Sequence, residues 1–315
     1  MNDEKILVVG SLAYDHVMTY DGLFQDGLLA EHLDNLSVTF TTDHKLLHFG
    51  GCGANIAYTL KLLGVDPVLM GLIGKDSADY MKWLKKNKIS TSKIVTVRDS
   101  FTASAYILTD RNGHQITIFH AGAMDKAPKA LRLSDLGCAK VGWAIIAPDD
   151  HRRMVRLARE CFSVGVRYIF DPGQQILKMK PSELLSSIKH ATILIFNEYE
   201  GELLCQQLKL SKKELCSLGA ICIETLAEKG ARVFQKGSLN FTVPAVKPLK
   251  VVDPTGCGDA FRAGLVAGLT KGFSMQKSCQ MGTLAATYAL EHQGTQNHTF
   301  TVKQFEARLK KISHE

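Results

Sequence analysis

Short apolar runs alternate with helical patterns along most of this chain, and this alternation constrains the fold more than any other feature. Runs typical of buried strands lie at 5–9, 68–74, 141–147, 167–170 and 193–196. The helical patterns between them predict a largely parallel sheet, covered by helices on both faces and joined by right-handed crossovers. We therefore expect a three-layer α/β/α sandwich, with ligand-binding loops at the carboxyl ends of the strands.

Composition narrows the functional classes only slightly. The chain has 315 residues, a formal net charge of +7 and eight cysteines. Its paired lysines at 85–86, 212–213 and 310–311 fall on predicted helix surfaces, so we expect no nucleic-acid partner. No apolar run approaches the roughly 20 residues that span a bilayer, and the N-terminus lacks a signal-peptide pattern. The cysteines lack metal-binding spacing, which indicates buried thiols and a cytoplasmic protein without a membrane partner.

The stretch 251–265 carries the most specific pattern in the chain. An apolar run stops at Asp253-Pro254, two glycines bracket Cys257, and apolar residues then recur at helical spacing. Glycines at a loop-to-helix junction let backbone N–H groups converge where the helix dipole favours an anion such as a phosphoryl group. Asp259, on the first helical turn, can take a proton from an attacking hydroxyl. Aspartate is also common in first turns for electrostatic reasons alone, so this residue by itself leaves both roles open.

The whole block resembles the C-terminal signature of the PfkB-type, or ribokinase-like, family of sugar and nucleoside kinases. The resemblance implies that Asp259 is the catalytic base and that Gly256, Cys257 and Gly258 form the anion hole, whose glycines also contact ATP. It extends over nearly the whole chain. It implies a single ribokinase-like kinase domain over residues 1–315 that transfers a phosphoryl group from ATP to an alcohol group.

Two places in the first third of the chain are predicted to bind the acceptor. Asp15 follows the first strand, where its two carboxylate oxygens can accept hydrogen bonds from vicinal hydroxyls. A second glycine-rich entry into a helix resembles the N-terminal signature of the family. This resemblance implies close sugar contact at Gly51 and binding of ribose hydroxyls by Asn55. The remaining implied substrate contacts in this part of the chain are Ser11 and Thr39.

Residues 102–120 alternate in hydrophobicity around an Asn-Gly pair at 112–113, the pattern of a β-hairpin. Because helical units flank the hairpin, we predict that it joins segments 12–20 and 36–48 in a small separate sheet. The resemblance implies that this sheet is a lid over the substrate and a contact between two subunits of a homodimer. It also implies that Phe119 stacks against a nucleobase, while a place in the core of the lid is the alternative for this residue.

The carboxyl ends of the later strands are predicted to bind the nucleotide. Asn197 and Glu200 match the N-x-x-E element of the family, which is linked to Mg²⁺ and phosphate handling. Because Mg²⁺ keeps several waters, we expect Glu200 to act through water, and a solvent-facing helix residue is the alternative. The ATP-binding turn of the family follows, with implied contacts at Thr225, Lys229 and Gly230. In relatives the loop matching Gly294-Thr295 lies beside the ATP base, where its carbonyls can help hold K⁺, a further candidate cofactor.

Within the family the chain is most similar to bacterial adenosine kinases. The segments that carry this similarity are the lead-in 10–16 with Glu31-His32-Leu33, the turn 171–175 and the run 261–264. The resemblance places Gln174 and Gln175 near the nucleoside and implies phosphorylation of the 5′-hydroxyl of adenosine. Ala105 stands where close relatives can carry a second aromatic residue, so Phe119 alone would stack on the base.

Other interpretations stay open at this point. A PfkB-type sugar kinase acting on ribose or fructose, or a broader purine nucleoside kinase, fits the same motifs. A Rossmann-type dehydrogenase would need G-x-G-x-x-G after the first strand, where only Gly10 is present. A catalytically inactive binding protein would have no need of Asp259 with both flanking glycines. Release of ADP from ATP, measured against a panel of nucleosides and sugars, separates these classes.

Overall fold

The computed structural model describes residues 5–27, 37–126, 130–137 and 140–312. Glu31-His32-Leu33 and the first residue of segment 36–48 lie outside these residues. The strands are β1 Lys5–Val9, β2 Ala13–Thr19, β3 His44–Gly50, β4 Pro67–Gly74, β5 Ser90–Val97, β6 Ala103–Thr109, β7 Gln115–His120, β8 Val141–Ile146, β9 Arg167–Phe170, β10 Ile193–Asn197, β11 Ile221–Thr225, β12 Ala231–Gln235 and β13 Ser238–Val243. The α-helices are α1 Phe24–Gly27, α2 Cys52–Leu62, α3 Ala78–Lys86, α4 His151–Ser163, α5 Pro181–Lys189, α6 Glu198–Leu208, α7 Lys212–Leu215, α8 Cys257–Thr270, α9 Met275–Leu290 and α10 Val302–Ile312.

A nine-stranded sheet forms the centre of the described structure. Its strand order is β13-β12-β11-β10-β9-β8-β1-β4-β5. Neighbouring strands from β5 to β11 run parallel, and the antiparallel pairs are those of β12 at one edge. Parallel neighbours need long crossover connections, which helices supply in most of this sheet. The carboxyl ends of the parallel strands therefore meet at one edge, as the alternation in the sequence predicted.

Helices cover both faces of this sheet. Successive side chains of a buried strand point to opposite faces, so β1 contributes to two separate cores. Ile6 and Val8 pack in a cluster with residues of α2, α8, α9 and α10. Leu7 and Val9 pack in a cluster with residues of α4, α5 and α6. The predicted α/β/α sandwich is confirmed.

A second, four-stranded sheet has the order β3-β2-β6-β7. Strands β6 and β7 form the predicted hairpin, and the Gly113 N–H donates to the Asp110 carbonyl oxygen (3.0 Å) across its turn. Strand β2 pairs with β6 in parallel and with β3 in antiparallel orientation. Residues 37–43 of the predicted segment 36–48 are not in a strand; β3 begins at His44. The role of this sheet as a lid stays a prediction, and so does the division into domains.

Some elements had no clear signal in the sequence. Strand β5 reads STSKIVTV and lies at the sheet edge, so it alternates only weakly and has no continuous apolar run. Strand β13 is also an edge strand and is mostly exposed. In both places the tertiary pairing decides the conformation more than local propensity does. In the described part of the chain, no helix has both the length and the apolar content needed to cross a membrane.

Candidate active site

The N-terminus of α8 provides the predicted anion site. Gly256, at the N-cap, has a φ of 80°, in the left-handed region that favours glycine, and it packs against Thr295. The Cys257 N–H donates to the Pro254 carbonyl oxygen (3.2 Å), which closes the turn before the helix. The first N–H groups of a helix have no intrahelical acceptor, and the helix dipole adds positive potential there. This helix end can therefore stabilise a phosphate or a phosphoryl group in transfer.

Asp259 lies on the first turn of α8 and is partly exposed. Its Oδ2 accepts a hydrogen bond from Asn55 Nδ2 at 2.9 Å. Partial desolvation by the surrounding protein raises the pKa of Asp259. The charge of Arg262 and the hydrogen bond from Asn55 act in the opposite direction. A carboxylate with a raised pKa is a stronger base, which suits the removal of a proton from a hydroxyl.

Arg262 and Asp171 form a buried ion pair behind Asp259. Arg262 follows Asp259 by one helical turn, and its Nε contacts Asp171 Oδ2. Asp171 is 1% exposed, at the end of β9, and burial raises its pKa to about 7 although Arg262 lowers it; the Glu200 charge adds to the rise. A Cβ on Gly258 would lie only 2.8 Å from Arg262 Nη1, so the second glycine of the motif makes room for the guanidinium. The sequence had shown Arg262 only as part of a motif, without a partner.

One row of residues crosses the smaller sheet and faces the site. The strand register pairs His48 with Asp15, Asp15 with Ala105, and Ala105 with Phe119. Residues paired in register point to the same face of a sheet. The carboxylate of Asp15 therefore shares a face with the Phe119 ring, which is 50% exposed. Gly50 packs directly against the Asp15 carboxylate, and a Cβ there would collide with it.

Asp15 is electrostatically coupled to the anion site. Burial, together with the smaller effects of the Asp259 and Asp253 charges, raises its pKa to about 7. A carboxylate of the smaller sheet and one of helix α8 are thus close enough for their charges to act on each other. Such an arrangement is costly for the folded protein, and hydrogen-bond donors of a ligand would relieve the cost.

Ser11 and Gly51 join the two sheets at the entry to α2. Gly51 has a φ of 90°, and a Cβ there would lie 2.5 Å from the Ser11 carbonyl oxygen. Ser11 Oγ accepts a hydrogen bond from the Cys52 N–H (3.1 Å) at the start of this helix. The structure therefore gives both residues a local reason for their identity, and their contact with a sugar stays a prediction.

The other predicted substrate contacts differ in exposure. After β9, a 3₁₀ helix spans Gly173–Lys178; within it Gln174 is exposed and Gln175 is buried. Thr39 is exposed, in the irregular segment before β3. Of these three residues, the two glutamines directly follow the strand end that carries Asp171.

The predicted nucleotide residues lie at the ends of β10, β11 and β12. Asn197 and Glu200 form a capping box for α6: Asn197 Oδ1 accepts from the Glu200 N–H, and Glu200 Oε2 accepts from the Asn197 N–H, both at 2.8 Å. Thr225 Oγ1 donates to the Phe196 carbonyl oxygen (3.4 Å). Lys229 is exposed. Gly230 has a φ of 93° and is packed against the Val243 carbonyl oxygen.

A magnesium ion fits this edge of the sheet only with few direct protein ligands. Within the described residues, no group of three or more His, Cys, Asp or Glu side chains is arranged to hold a metal ion. Asp171 Oδ1 is buried and has no hydrogen-bond partner in the described chain, and the Glu200 charge acts on both Asp171 and Asp259. Mg²⁺ usually keeps several waters and binds one or two carboxylates together with substrate phosphates, which this donor set allows.

Gln296 is a site residue that the sequence did not reveal. It follows the Gly294-Thr295 loop, is 2% exposed, and its Nε2 donates to Asn55 Oδ1 at 3.0 Å. A glutamine in a polar loop, here two residues after Gly294, carries no sequence signal of burial. Only the approach of this loop to α2 makes it part of the site.

Known proteins resemble this chain over nearly its whole length. The pfkB family carbohydrate kinase profile matches residues 3–301. A nucleoside kinase of Methanocaldococcus jannaschii is 29% identical, over 98% of this chain and 97% of its own. The ribokinase of Bacillus subtilis is 27% identical, over 97% of this chain and 99% of its own. The structure of a Burkholderia thailandensis nucleoside kinase in complex with inosine superposes with a TM-score of 0.87 and 35% identity, and covers 98% of both chains. The chain belongs to the pfkB family of carbohydrate kinases, as its motifs predicted.

Proposed function

We propose that this protein is an ATP-dependent nucleoside kinase that phosphorylates the 5′-hydroxyl of a purine nucleoside. One observation carries the proposal: Asp259, at the anion-binding end of α8, acts electrostatically on Asp15, which shares a sheet face with the exposed Phe119 ring. A general base, a group that binds vicinal hydroxyls and an aromatic ring for stacking thus face one site. The two parts of a nucleoside, ribose hydroxyls and a flat nucleobase, each have a matching group here.

In the proposed reaction, the nucleoside 5′-oxygen attacks the γ-phosphorus of ATP while Asp259 takes the hydroxyl proton. The bond between O5′ and the γ-phosphorus forms, the bond from that phosphorus to the β–γ bridging oxygen breaks, and ADP leaves. The N–H groups at the start of α8 stabilise the charge on the phosphoryl group in transfer. Arg262 holds its charge beside Asp259 and favours the ionised base.

Recognition of the nucleoside is assigned mainly to the smaller sheet and to the start of α2. Asp15 accepts hydrogen bonds from the ribose 2′- and 3′-hydroxyls, and Asn55 adds to this clamp through the second N–H of its amide, which the bond to Asp259 leaves over. Phe119 stacks on the base, and Gln174 or Gln175 lies near its edge. Such a clamp turns the 5′-hydroxyl towards Asp259, and this positioning lowers the barrier by several kcal/mol.

The ATP side of the site is assigned to the ends of β10 and β11 with the following turn. Thr225, Lys229 and Gly230 would contact the nucleotide, and Glu200 with Asn197 would hold Mg²⁺ through water. When bound, Mg²⁺ neutralises charge on the β- and γ-phosphates. A relative that is 34% identical was solved in complex with ADP-inosine, which supports a nucleotide and a nucleoside in one site. A K⁺ ion beside Gly294-Thr295 is part of this proposal.

The identity of the purine is a separate question. The sequence motifs favour adenosine, whereas the Burkholderia thailandensis relative was solved with inosine. The two bases differ in the hydrogen-bonding groups at the edge of the six-membered ring. Hydrogen bonds at that edge discriminate strongly, because a wrong partner leaves buried polar groups unpaired, while stacking accepts either base. We keep adenosine as the proposed acceptor and inosine as its main competitor.

Release of ADP from Mg-ATP tests the proposal. The acceptor panel contains adenosine, inosine, guanosine, 2′-deoxyadenosine, ribose and fructose. We expect kcat/KM to be highest for adenosine and lower for 2′-deoxyadenosine, which lacks the hydroxyl that pairs with Asp15. A higher value for inosine would replace adenosine as the acceptor and keep the nucleoside kinase. A higher value for ribose or fructose would contradict the nucleoside assignment and favour a sugar kinase.

A further inference from the structure

A chain of buried and partly buried hydrogen bonds ends on Asp259, the proposed general base. Trp83 Nε1 donates to Gln296 Oε1 (2.9 Å), Gln296 Nε2 donates to Asn55 Oδ1 (3.0 Å), and Asn55 Nδ2 donates to Asp259 Oδ2 (2.9 Å). Gln296 and Asn55 are both buried. These bonds join α2 and α3, in the first third of the sequence, to α8 and the loop after α9, near its end.

The direction of this chain follows from its first member. An indole N–H can only donate, so the Gln296 oxygen must face Trp83 and the Gln296 NH₂ must face Asn55. The Asn55 oxygen then accepts, and its NH₂ is the group left to face Asp259. The reverse arrangement would place the Asn55 oxygen against a carboxylate, where two acceptors repel each other. Trp83, which does not contact Asp259, thus sets the donor and acceptor direction of all three hydrogen bonds.

We infer that Gln296 is a positioning residue for phosphoryl transfer: it fixes the Asn55 amide with its N–H towards Asp259 and so holds the base in its productive orientation. The inference rests on the proposed function, because the orientation of Asp259 matters only if this carboxylate takes the acceptor proton. A hydrogen bond to a charged group is stronger than a neutral one, so the last bond of the chain has the largest effect.

Two further contacts support a fixed place for Gln296. The Tyr58 hydroxyl donates to the His298 carbonyl oxygen (2.9 Å), so the loop that carries Gln296 is fastened to α2. Gln296 Nε2 also donates to the Tyr80 hydroxyl (2.9 Å), which itself donates to the Gly50 carbonyl oxygen at the end of β3. Gln296 therefore links the base to the point where the smaller sheet joins α2. A displacement at that junction can reach Asp259 through these bonds.

The first test uses Gln296→Met, which keeps the size of the side chain and removes both amide groups. We expect kcat to fall about 10-fold while KM for the nucleoside stays within about two-fold, because the lost bond acts on the base and not on the substrate. Gln207→Met is the matched control, because the Gln207 amide donates to the Met179 carbonyl oxygen and takes no part in the hydrogen bonds that lead to Asp259. The control should keep the kcat of the natural protein, and Tm is measured for both variants.

The second test uses Gln296→Glu and the pH dependence of kcat. A protonated carboxyl can donate to Asn55 as the amide does, whereas an ionised one cannot. Burial and the nearby carboxyls of Asp15 and Asp259 favour the protonated form. Other ionisable groups on the packed elements around this loop include the hydroxyls of Tyr58 and Tyr80 and the rings of His48 and His298. We expect kcat of this variant, relative to the natural protein, to fall about 10-fold from pH 6 to pH 9. The same ratio for Gln296→Met should stay constant.

The outcomes separate the inference from the proposed function. If both Gln296 variants keep the kcat of Gln207→Met across this pH range while Asp259→Asn is inactive, the inference is wrong and the kinase stands. If Gln296→Met changes only Tm or KM, the residue is merely structural and the inference is also wrong. If the natural protein phosphorylates no acceptor, the proposed function itself fails. Should the Gln296 variants not fold, Trp83→Phe removes only the directing N–H, and unchanged kcat there would equally contradict the inference.

Discussion

The two sheets differ in how their faces are covered and in what they carry. The nine-stranded sheet is packed on both faces, and its central strands are almost completely buried. In the four-stranded sheet, Ala13 and Ala103 pack with Met124 in a small buried cluster, while Leu47 and Ile118 are more than half exposed. The charges proposed for catalysis lie on a helix packed against the first sheet, and the proposed platform for the nucleobase lies on the second.

This difference predicts a separation of effects. Asp259 and Arg262 lie on a helix that is packed against the large sheet, where their positions are held by buried contacts. Phe119 stands on an exposed strand with few packing constraints. Substitutions on the large sheet should therefore change kcat or the free energy of unfolding. Substitutions on the small sheet should change recognition of the acceptor and leave the fold intact.

The largest expected effect is that of Asp259→Asn. We expect kcat to fall by roughly 10²–10⁴-fold, the usual contribution of a general base, while KM for the nucleoside changes only a few-fold. Steady-state kinetics at saturating ATP measure both constants. Glu198→Gln, an exposed acid in the first turn of α6, is the control and should behave like the natural protein. A kcat of Asp259→Asn within a few-fold of the natural protein would remove this residue from the mechanism.

Arg262→Met tests the packed side of the comparison. It leaves Asp171 buried without its cation, and we expect the free energy of unfolding to fall by about 3–5 kcal/mol. Urea denaturation at pH 8 measures this loss. Combining it with Asp171→Asn removes the unpaired charge and should recover part of the stability. Equal stability of the natural protein and Arg262→Met would show that the pair is not needed to hold this end of α8.

Phe119→Ala tests the exposed side. We expect kcat/KM for a purine nucleoside to fall about 10-fold, because a stacked base contributes about 1–3 kcal/mol, while Tm stays unchanged. Ile118→Ala is the matched control: it is the preceding residue, 66% exposed, and points to the opposite face of the sheet. Equal losses of kcat/KM in both variants would mean that the nucleobase of the substrate does not bind on the sheet face that carries Asp15.

The smallest effect concerns Asp15 and the pH dependence of stability. Its pKa is about 7 in the folded protein and near 3.8 in the unfolded chain, so the unfolded chain releases this proton at lower pH. Ionised Asp15 thus costs stability, and this cost grows as the pH rises from about 4 to about 7. Asp15→Asn should therefore raise Tm by about 3 °C at pH 8 and by less at pH 5. Asp79→Asn, at an exposed position, is the control. A lower Tm of Asp15→Asn than of the natural protein at pH 8 would show that ionised Asp15 does not cost stability.

Much of the fold could be predicted from the sequence because it depends on local pattern. The run 5–9, the hairpin around Asn112-Gly113 and the helix that starts at Cys257 each have their signals within a few neighbouring residues. Edge strand β5 has no such signal, since its pairing with β4 decides its conformation. Local sequence patterns are sufficient to predict an element where propensity and burial agree. They are insufficient where the pairing between strands alone decides the conformation.

The candidate site shows the same limit in its polar contacts. The motifs indicated Asp259 and Asn55, but not that the Asn55 amide bonds to Asp259 on one side and to Gln296 on the other. They indicated Arg262 only as part of a run, without its partner Asp171. Each of these contacts joins segments of the chain that are distant in sequence. Short-range sequence patterns contain no information on contacts between such distant segments.

The turn of the hairpin has a consequence for substrate selection. The buried Asp110 carboxylate accepts hydrogen bonds from the Phe24, Asn112 and His114 N–H groups, at 3.3, 3.0 and 2.9 Å. These bonds fix where β6 ends and thus which residue of β7 lies opposite Ala105. A slip of one residue would exchange the exposed neighbours Ile118 and Phe119, at little cost in buried apolar area. The alignment that presents an aromatic ring instead of an aliphatic side chain is therefore set at the far end of the strand, and an error in this alignment would alter which acceptor is chosen before it unfolds the protein.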